Sequence, residues 1–418
     1  MEATRLQEFR SWAAALGHDS DRLESGEEVI SYLEVSTAEA ARALLSHATP
    51  AQRTERQKTF FHPAIAVRSR LGQGMHDRGE AFVWANGVQD ETDRHGLDAH
   101  LPLHVKAISV LHKTVAPGET WDVSVRGNMW GLDDMEELYT AANVGTLLLE
   151  RGGRLVVRGN VFLLLCQRVI THAGARICIL PTPFSVDYGA GPMRGADGAA
   201  GRNGAHGSHG RDVRTGSSIL GPRLAEPIEP EELHGGHGAD GLPGNPGRDG
   251  RNGGMSKLAE LTLRQVEGFL TIYARPGEGG VGGVGGDGGN GAEGGNGADG
   301  CKVVSGVFPG GNGGNGGNGG AGGRGGHGGN GGLSSNIYVD VPPPEERRII
   351  RISLPSQAGK GGAPGRGGPG GRGGAAGKGP EPRYDGVAGR PGRPGLNGQP
   401  GANGRNRPAP IIFLNAKI

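Results

Sequence analysis

The side chains of this chain best suited to chemistry are two groups of histidines. Asp93, His95, Asp98, His100 and His104 crowd imidazoles and carboxylates into one short segment, and that donor set suits zinc or iron. Their spacing matches no motif of defined geometry, so a solvated loop leading into Leu103 to Val110 is the competing reading. His206 with His209, and His234 with His237, are each three residues apart. On a backbone with three residues per turn each pair would share a face. His95, His100, His206, His209, His234 and His237 are therefore the candidate metal ligands, against the plainer role of outward-facing polar residues. No other cofactor is expected. Asp133, Asp134, Glu136 and Glu137 read as a solvated turn, since a carboxylate pair for glycoside cleavage needs a groove around it.

The elements that would have to carry these residues are unusual. The chain holds 85 Gly and 27 Pro in 418 residues, a content that without periodicity would indicate disorder. Here glycine recurs at every third position in six runs: run 1 (195–210), run 2 (235–253), run 3 (279–300), run 4 (310–332), run 5 (359–377) and run 6 (386–404). A period of three points to the polyproline II backbone, which has no internal hydrogen bonds. Collagen is one solution. Run 1 and run 4 lack proline, however, and a second glycine fills most triplets of run 4, leaving Asn312, Asn315, Asn318, Ala321, Arg324, His327 and Asn330 as its side chains. Two bare edges per turn suit a polyglycine II helix packed between neighbours, whose amides donate to the carbonyls of the next helix. An intramolecular bundle is favoured over a collagen trimer.

The connectors alternate in kind. Strand-like segments follow run 2 (258–274), run 4 (336–354, split by Pro342, Pro343 and Pro344) and run 6 (410–418), whereas 211–234, 301–309 and 378–385 are polar or turn-like. Three hairpins of paired helices would then project from a β base, with three tip loops together. At ~3.1 Å per residue, a run of 19 residues would extend about 59 Å.

This arrangement resembles the N-terminal domain of Obg-type GTPases, which is implicated in ribosome contact, and the tip adhesins of phage tail fibres, whose distal loops recognise a host receptor. The resemblance covers about 195–404 and is architectural. It implies either ribosome contact or receptor recognition through the loops. A GTPase activity finds no support, because Lys360 and Lys378 are followed by Gly361 and Gly379 and no G-x-x-x-x-G-K-[ST] is present.

The first 190 residues are globular in composition. Residues 1–62 form a helical segment: Leu6, Phe9, Ala13 and Leu16 recur at helical spacing, Ser36 with Glu39 predicts a capping box, and Thr49-Pro50 opens a helix towards Phe61. Residues 63–190 form a β domain, completed by the strand-like connectors, while 191–409 form the bundle. Trp121, Val123 and Val125 alternate, and Leu147–Leu149 and Val161–Leu165 are apolar runs suited to strands buried on both faces. The predicted fold is mainly β, either a sandwich or barrel or a β-solenoid. The sandwich or barrel is favoured because Gly152-Gly153 could close an antiparallel hairpin. One core would include Phe162, Leu164, Ile177, Ile179, Leu263, Ile272, Val339, Ile350, Ile352 and Phe413.

Charge is uneven. From 345 to 407 there are 12 Lys or Arg against 4 Asp or Glu. Lys360, Arg366, Arg372, Lys378, Arg390 and Arg393 make the third hairpin basic and offer an anionic partner, such as nucleic acid or an acidic polysaccharide, a binding surface. The alternative is pairing with acidic neighbours in the same bundle. Three cysteines in no CxxC spacing argue against a disulfide framework. No apolar stretch reaches the ~20 residues of a membrane span, and the acidic amphipathic start is unlike a signal peptide. The expectation is cytoplasmic synthesis, with release or assembly into an extracellular particle as an extension.

The function expected is structural and recognition-related, not enzymatic: a rigid spacer presenting tip loops to a protein or surface polysaccharide, as in a phage, tailocin or toxin-complex component. Leu224, Glu231, Phe308 and Tyr384 are the candidate contact residues. The alternatives are an enzyme with a site in the β base, and a ribosome or nucleic-acid binder acting through the basic hairpin.

Overall fold

The computed structural model describes residues 2–58, 82–86, 101–132, 137–181 and 193–417. Four helices, α1 (Glu2–Ala15), α2 (Ser20–Glu24), α3 (Ala38–Leu45) and α4 (Pro50–Gln57), surround a first strand, β1 (Val29–Val35). The expected caps hold in part. Thr49 and Gln52 form the capping box of α4, while α3 is capped by Thr37, one residue beyond the predicted Ser36. β1 falls inside the segment read as helical, so that segment is not wholly helical.

From residue 103 the chain winds between two sheets. It forms β2 (Leu103–Val115), β3 (Thr120–Asp122), β4 (Leu138–Leu149), β5 (Arg154–Arg158), β6 (Val161–Thr171) and β7 (Arg176–Leu180). Two short strands, β8 (Thr215–Ser218) and β9 (Gly221–Leu224), lie between runs 1 and 2. The winding resumes with β10 (Ala259–Leu263), β11 (Val266–Glu267) and β12 (Leu270–Ala274), and β13 (Cys301–Val303) and β14 (Gly306–Phe308) separate runs 3 and 4. β15 (Ile337–Asp340), β16 (Ile349–Ser353) and β17 (Ile412–Leu414) finish it. The first sheet has the order β1-β2-β4-β6-β10-β15-β17, with β11 also on β6, and the second β16-β12-β7-β5-β3. Every pair in these sheets is parallel except β1 with β2.

Parallel pairing overturns the favoured hairpin at Gly152-Gly153, and no barrel closes among the described residues. β4 and β5 belong to different sheets, so those glycines turn a corner of the winding. Gly118, Gly152 and Gly174 all sit in the left-handed region, at φ +74°, +72° and +78°. They stack on one another: the amide of Gly118 bonds to Arg151 O and that of Gly152 to Ala173 O, each at 2.9 Å. A side chain would be strained at these angles, so glycine marks the same corner in successive turns of the chain. The fold is therefore mixed α/β, with two largely parallel sheets between which successive strands alternate.

Alternation along the strands supplies the packing. Between the sheets lie Val144, Phe162, Leu164, Leu261 and Val339 from the first and Trp121, Leu155, Ile177, Ile179 and Ile272 from the second. The other face of the first sheet, through Ala141, Leu163, Leu165, Tyr338 and Phe413, packs against Trp12, Leu16, Leu45 and Trp84. Both faces of β4 and β6 are thus covered, which explains their unbroken apolar runs. Phe413 therefore lies in the second cluster and not the predicted one. Ile350 is 44% exposed, because β16 turns it outward while Ile349 faces inward.

One polar group is buried beneath the helices. Arg56 of α4 is fully buried; it bonds to Glu260 of β10 at 2.6 Å and to Asp340 of β15. Glu260 also accepts the amide of His47 at 2.7 Å. Burial alone would depress the guanidinium pKa, but the two carboxylates outweigh it and hold it above its ordinary value. This ion triad fixes α4 over the junction of two strands separated by run 3 and run 4.

The glycine runs lie side by side. Glycine amides of run 1 bond to carbonyls of run 3, as in Gly201 to Asp287 O at 2.7 Å, and those of run 3 to run 5, as in Gly288 to Arg366 O at 2.8 Å. Run 2 donates to run 4, and run 4 to run 6, in the same parallel sense. Between these two rows the pairing is antiparallel: Leu242 bonds to Arg202 O, Gly289 to Leu242 O, Gly320 to Gly289 O, Gly368 to Gly320 O and Gly395 to Gly368 O. Run 3 thus bonds to runs 1, 2, 4 and 5, and run 4 to runs 2, 3, 5 and 6. Runs 1 and 6, at the ends, bond only to runs 2 and 3 and to runs 4 and 5.

Candidate functional site

Three loops join the runs pairwise, and hydrogen bonds bring them to one end of the array. Loop 1 spans 211–234, loop 2 301–309 and loop 3 378–385. The amide of Val304 in loop 2 bonds to Pro222 O in loop 1 at 2.9 Å. Gly300 bonds to Lys378 O, and Gly310 to Tyr384 O, each at 2.8 Å. Where the sequence suggested only turns, loop 1 carries the β8–β9 pair and loop 2 the β13–β14 pair, both antiparallel.

The predicted contact residues divide. Glu231 is exposed in a 3-10 turn, while Leu224, Phe308 and Tyr384 are half-buried. Leu224 is paired with Thr215, and Phe308 with Cys301. Arg383 lies over the Tyr384 ring, 4.9 Å from its centroid. The most exposed apolar side chains of the loops are others: Ile219 at 106%, Leu220 at 81% and Val304 at 58%. Ile219 and Leu220 occupy the two-residue turn closed by Ser218 and Gly221, a place where Asn and Gly are the usual residues. The signal was present in the sequence as an apolar pair set between Ser217-Ser218 and Gly221-Pro222, but the loop reads as polar when averaged over its length.

Arg211 ties the base of loop 1 together, bonding Glu226 at 2.7 Å and Glu232 at 2.9 Å. Arg211, Asp212, Arg214, Glu226 and Ile228 line a small polar cavity of about 260 Å³ there.

The histidine pairs are not drawn into a common site. His209 Nδ1 accepts the amide of Asn296 at 2.9 Å, facing run 3. His234 and His237 Nδ1 accept the amides of Asn312 and Asn315 at 2.8 Å, facing run 4. His206 is exposed. Among the described residues no three His, Cys, Asp or Glu side chains are placed to hold a metal ion. His95 and His100 lie outside the described residues; His104 lies against Trp130, ring centroids 5.3 Å apart.

These histidines share a task with asparagine and aspartate. Asn315 Oδ1 accepts the amide of Arg390, Asn318 Oδ1 that of Arg393, and Asp287 Oδ1 that of Arg366. His237, Asn315 and Arg390 thus form a chain of side-chain caps across runs 2, 4 and 6. In most triplets of runs 3 and 4 two glycine amides bond to neighbouring carbonyls, and the remaining amide is capped where an Asn, Asp or His stands opposite it. Asn, Asp and His all place an acceptor two bonds beyond Cβ, so one geometry serves all three.

Arg366 and Arg372 of run 5 and Lys378 at the start of loop 3 lie beside acidic residues of run 3. Arg366 adjoins Asp287, and Lys378 adjoins Asp299, each main-chain amide bonding to the carboxylate at 2.7 Å. Arg372 stands level with Glu293 through the Gly294 amide on its carbonyl. Lys360 stands level with Val281, through Gly282, and has no such acid. Arg390 and Arg393 adjoin asparagines. Acidic residues of run 3 thus border part of the basic set, while Lys360, Arg390 and Arg393 have no such neighbour among these contacts.

No protein-family model, curated protein or solved structure matches the chain. No helix among the described residues is long and apolar enough to cross a membrane.

Proposed function

We propose that this is a non-enzymatic structural and recognition protein. Its glycine runs fold as six polyglycine II helices, paired into three hairpins within one chain, and loops 1, 2 and 3 form its contact surface. The carrying observation is that bare edges follow neighbours. Runs 3 and 4, which bond to runs on every side, have two glycines in most triplets, while runs 1 and 6 have one. A trimer of collagen type needs only one bare edge throughout.

Helices cross-linked along their whole length cannot bend independently, so the bundle is a spacer of fixed length. Loops held on such a scaffold are the usual carriers of binding. Exchanging loops 1, 2 and 3 for short Gly-Asn links tests the assignment. On an array of immobilised surface glycans, proteins and lipids, the exchanged chain should lose the signals of the native chain while keeping its melting temperature. Retention of every signal by the exchanged chain would contradict the reading.

A further inference from the structure

Building on that reading, we infer that the end of loop 1 docks on a lipid bilayer surface bearing anionic headgroups, with Ile219 and Leu220 entering the interface. Two adjacent aliphatic side chains are held almost wholly in water at the turn between β8 and β9. Nothing in the fold requires them there, since the turn would form better with Asn-Gly. Gly221, at φ +120°, closes the turn, and Val304 of loop 2 abuts it, its Cγ2 3.2 Å from where a Gly221 β-carbon would lie. The main-chain bond from Val304 to Pro222 braces the projection from the side.

The charges nearest the turn along the chain are of one sign, the acids Asp212 and Glu226 lying at the base of the loop, where they line the cavity with Arg214. From 213 to 225 and from 301 to 309 the charged residues are Arg214, Arg223 and Lys302, all exposed. Among the described residues no ion pair within 4 Å engages any of the three, in contrast to Arg211. The acids of loop 1, Asp212, Glu226, Glu229, Glu231 and Glu232, all fall outside that stretch of sequence. An aliphatic tip with a basic collar matches the bilayer boundary, where acyl chains lie beneath anionic headgroups.

A protein partner fits less well. Ile219, Leu220, Val304 and Val307 are the large exposed apolar residues of loops 1 and 2, all aliphatic and on a projection, whereas a protein interface centres on side chains seated in packed pockets. Binding energy between proteins also concentrates in Trp, Tyr and Arg set in pockets, with Leu and Val under-represented. A second copy of this chain meets the same objection.

The test is co-sedimentation of the full chain with vesicles of phosphatidylcholine alone and of phosphatidylcholine mixed with phosphatidylserine. The native chain should bind the mixed vesicles. The double variant Ile219→Ser, Leu220→Ser should lower that partitioning by about a hundredfold or more. Arg214→Gln with Arg223→Gln should lower it by about thirtyfold and weaken the preference for phosphatidylserine. A Leu220→Trp variant should shift its emission to the blue on the mixed vesicles. A native chain that stays in solution with both vesicles, or a serine variant that partitions equally, overturns the proposal. Loop-dependent capture of a glycan or protein without vesicle binding also overturns it, yet leaves the spacer-and-loop reading standing.

Discussion

The amide of Gly320 donates to the carbonyl of Gly289 at 2.8 Å, and a β-carbon built on Gly320 would stand 2.1 Å from the carbonyl oxygen of Leu242. Three runs meet at that point with no space between them. Gly320→Ala must push runs 2 and 4 apart against main-chain atoms, and should destabilise the protein by about 3 kcal/mol in urea denaturation. The adjacent Ala321 is exposed, so Ala321→Ser should change stability by less than about 0.5 kcal/mol. Equal effects at the two positions would contradict the close packing.

His237 Nδ1 caps the amide of Asn315 at 2.8 Å, which occupies one of its two ring nitrogens. The substitution His237→Asn preserves an acceptor at the same place and should leave the melting temperature unchanged, whereas His237→Ala should cost about 1 kcal/mol. Adding zinc to the native chain should shift neither value. A zinc-dependent rise in melting temperature that His237→Asn abolishes would restore the metal reading.

Arg56 joins Glu260 and Asp340 where no water can replace it. Removing only the cation leaves two carboxylates buried together, so Arg56→Ala should cost about 3–5 kcal/mol. Replacing all three side chains with leucine or methionine should recover most of that loss. Denaturant midpoints of the two variants distinguish a buried triad from a surface pair, which would cost under about 1 kcal/mol.

His18 lies between two hydroxyls, with Nδ1 2.6 Å from Ser109 Oγ and Nε2 2.8 Å from Ser31 Oγ. Burial, helped by Arg22, holds its pKa below the ordinary 6.5. Burial lowers that of His47 too, against the pull of Glu260 and Glu8. A depressed folded pKa means that the unfolded chain takes up the proton first as pH falls. The stability from both neutral imidazoles is complete above 6.5 and lost as pH drops from 6.5 through the folded values. Urea midpoints measured across that window should fall with acid, and His18→Asn should flatten the slope. A midpoint that rises on acidification would contradict the assignment.

Much of this was legible in the sequence because local rules governed it. The connectors at 258–274, 336–354 and 410–418 became β10 to β12, β15 to β16 and β17, since their apolar residues belong to one continuing winding. Thr49-Pro50 opened α4 as its capping chemistry requires. Other features depended on partners far along the chain. Gly152-Gly153 fits a hairpin or a stacked corner equally well, and only Gly118 and Gly174 on either side decide between them. β1 was hidden because its single pairing, to β2, lies some 70 residues away. The histidine pairs suggested metal through their spacing, but the amides they cap belong to runs 3 and 4, beyond any local pattern. The exposure of Ile219 and Leu220 is not written in residue type, since it depends on their place in the turn between β8 and β9.

Residue-resolved amide hydrogen exchange on the full chain tests the intramolecular bundle most directly. The glycine amides of runs 3 and 4 should be protected at two positions in nearly every triplet. In run 4 the Asn315 and Asn318 amides, capped by His237 and Asp240, should exchange slowly, while those of Ala321 and Arg324, opposite Pro243 and Pro246, should exchange fast. In run 1 only Gly195, Gly198, Gly201, Gly204, Gly207 and Gly210 should be slow. The protein should sediment as a species whose protection does not depend on concentration. One protected amide per triplet in every run, in a particle of three chains, would contradict the account and restore the collagen trimer.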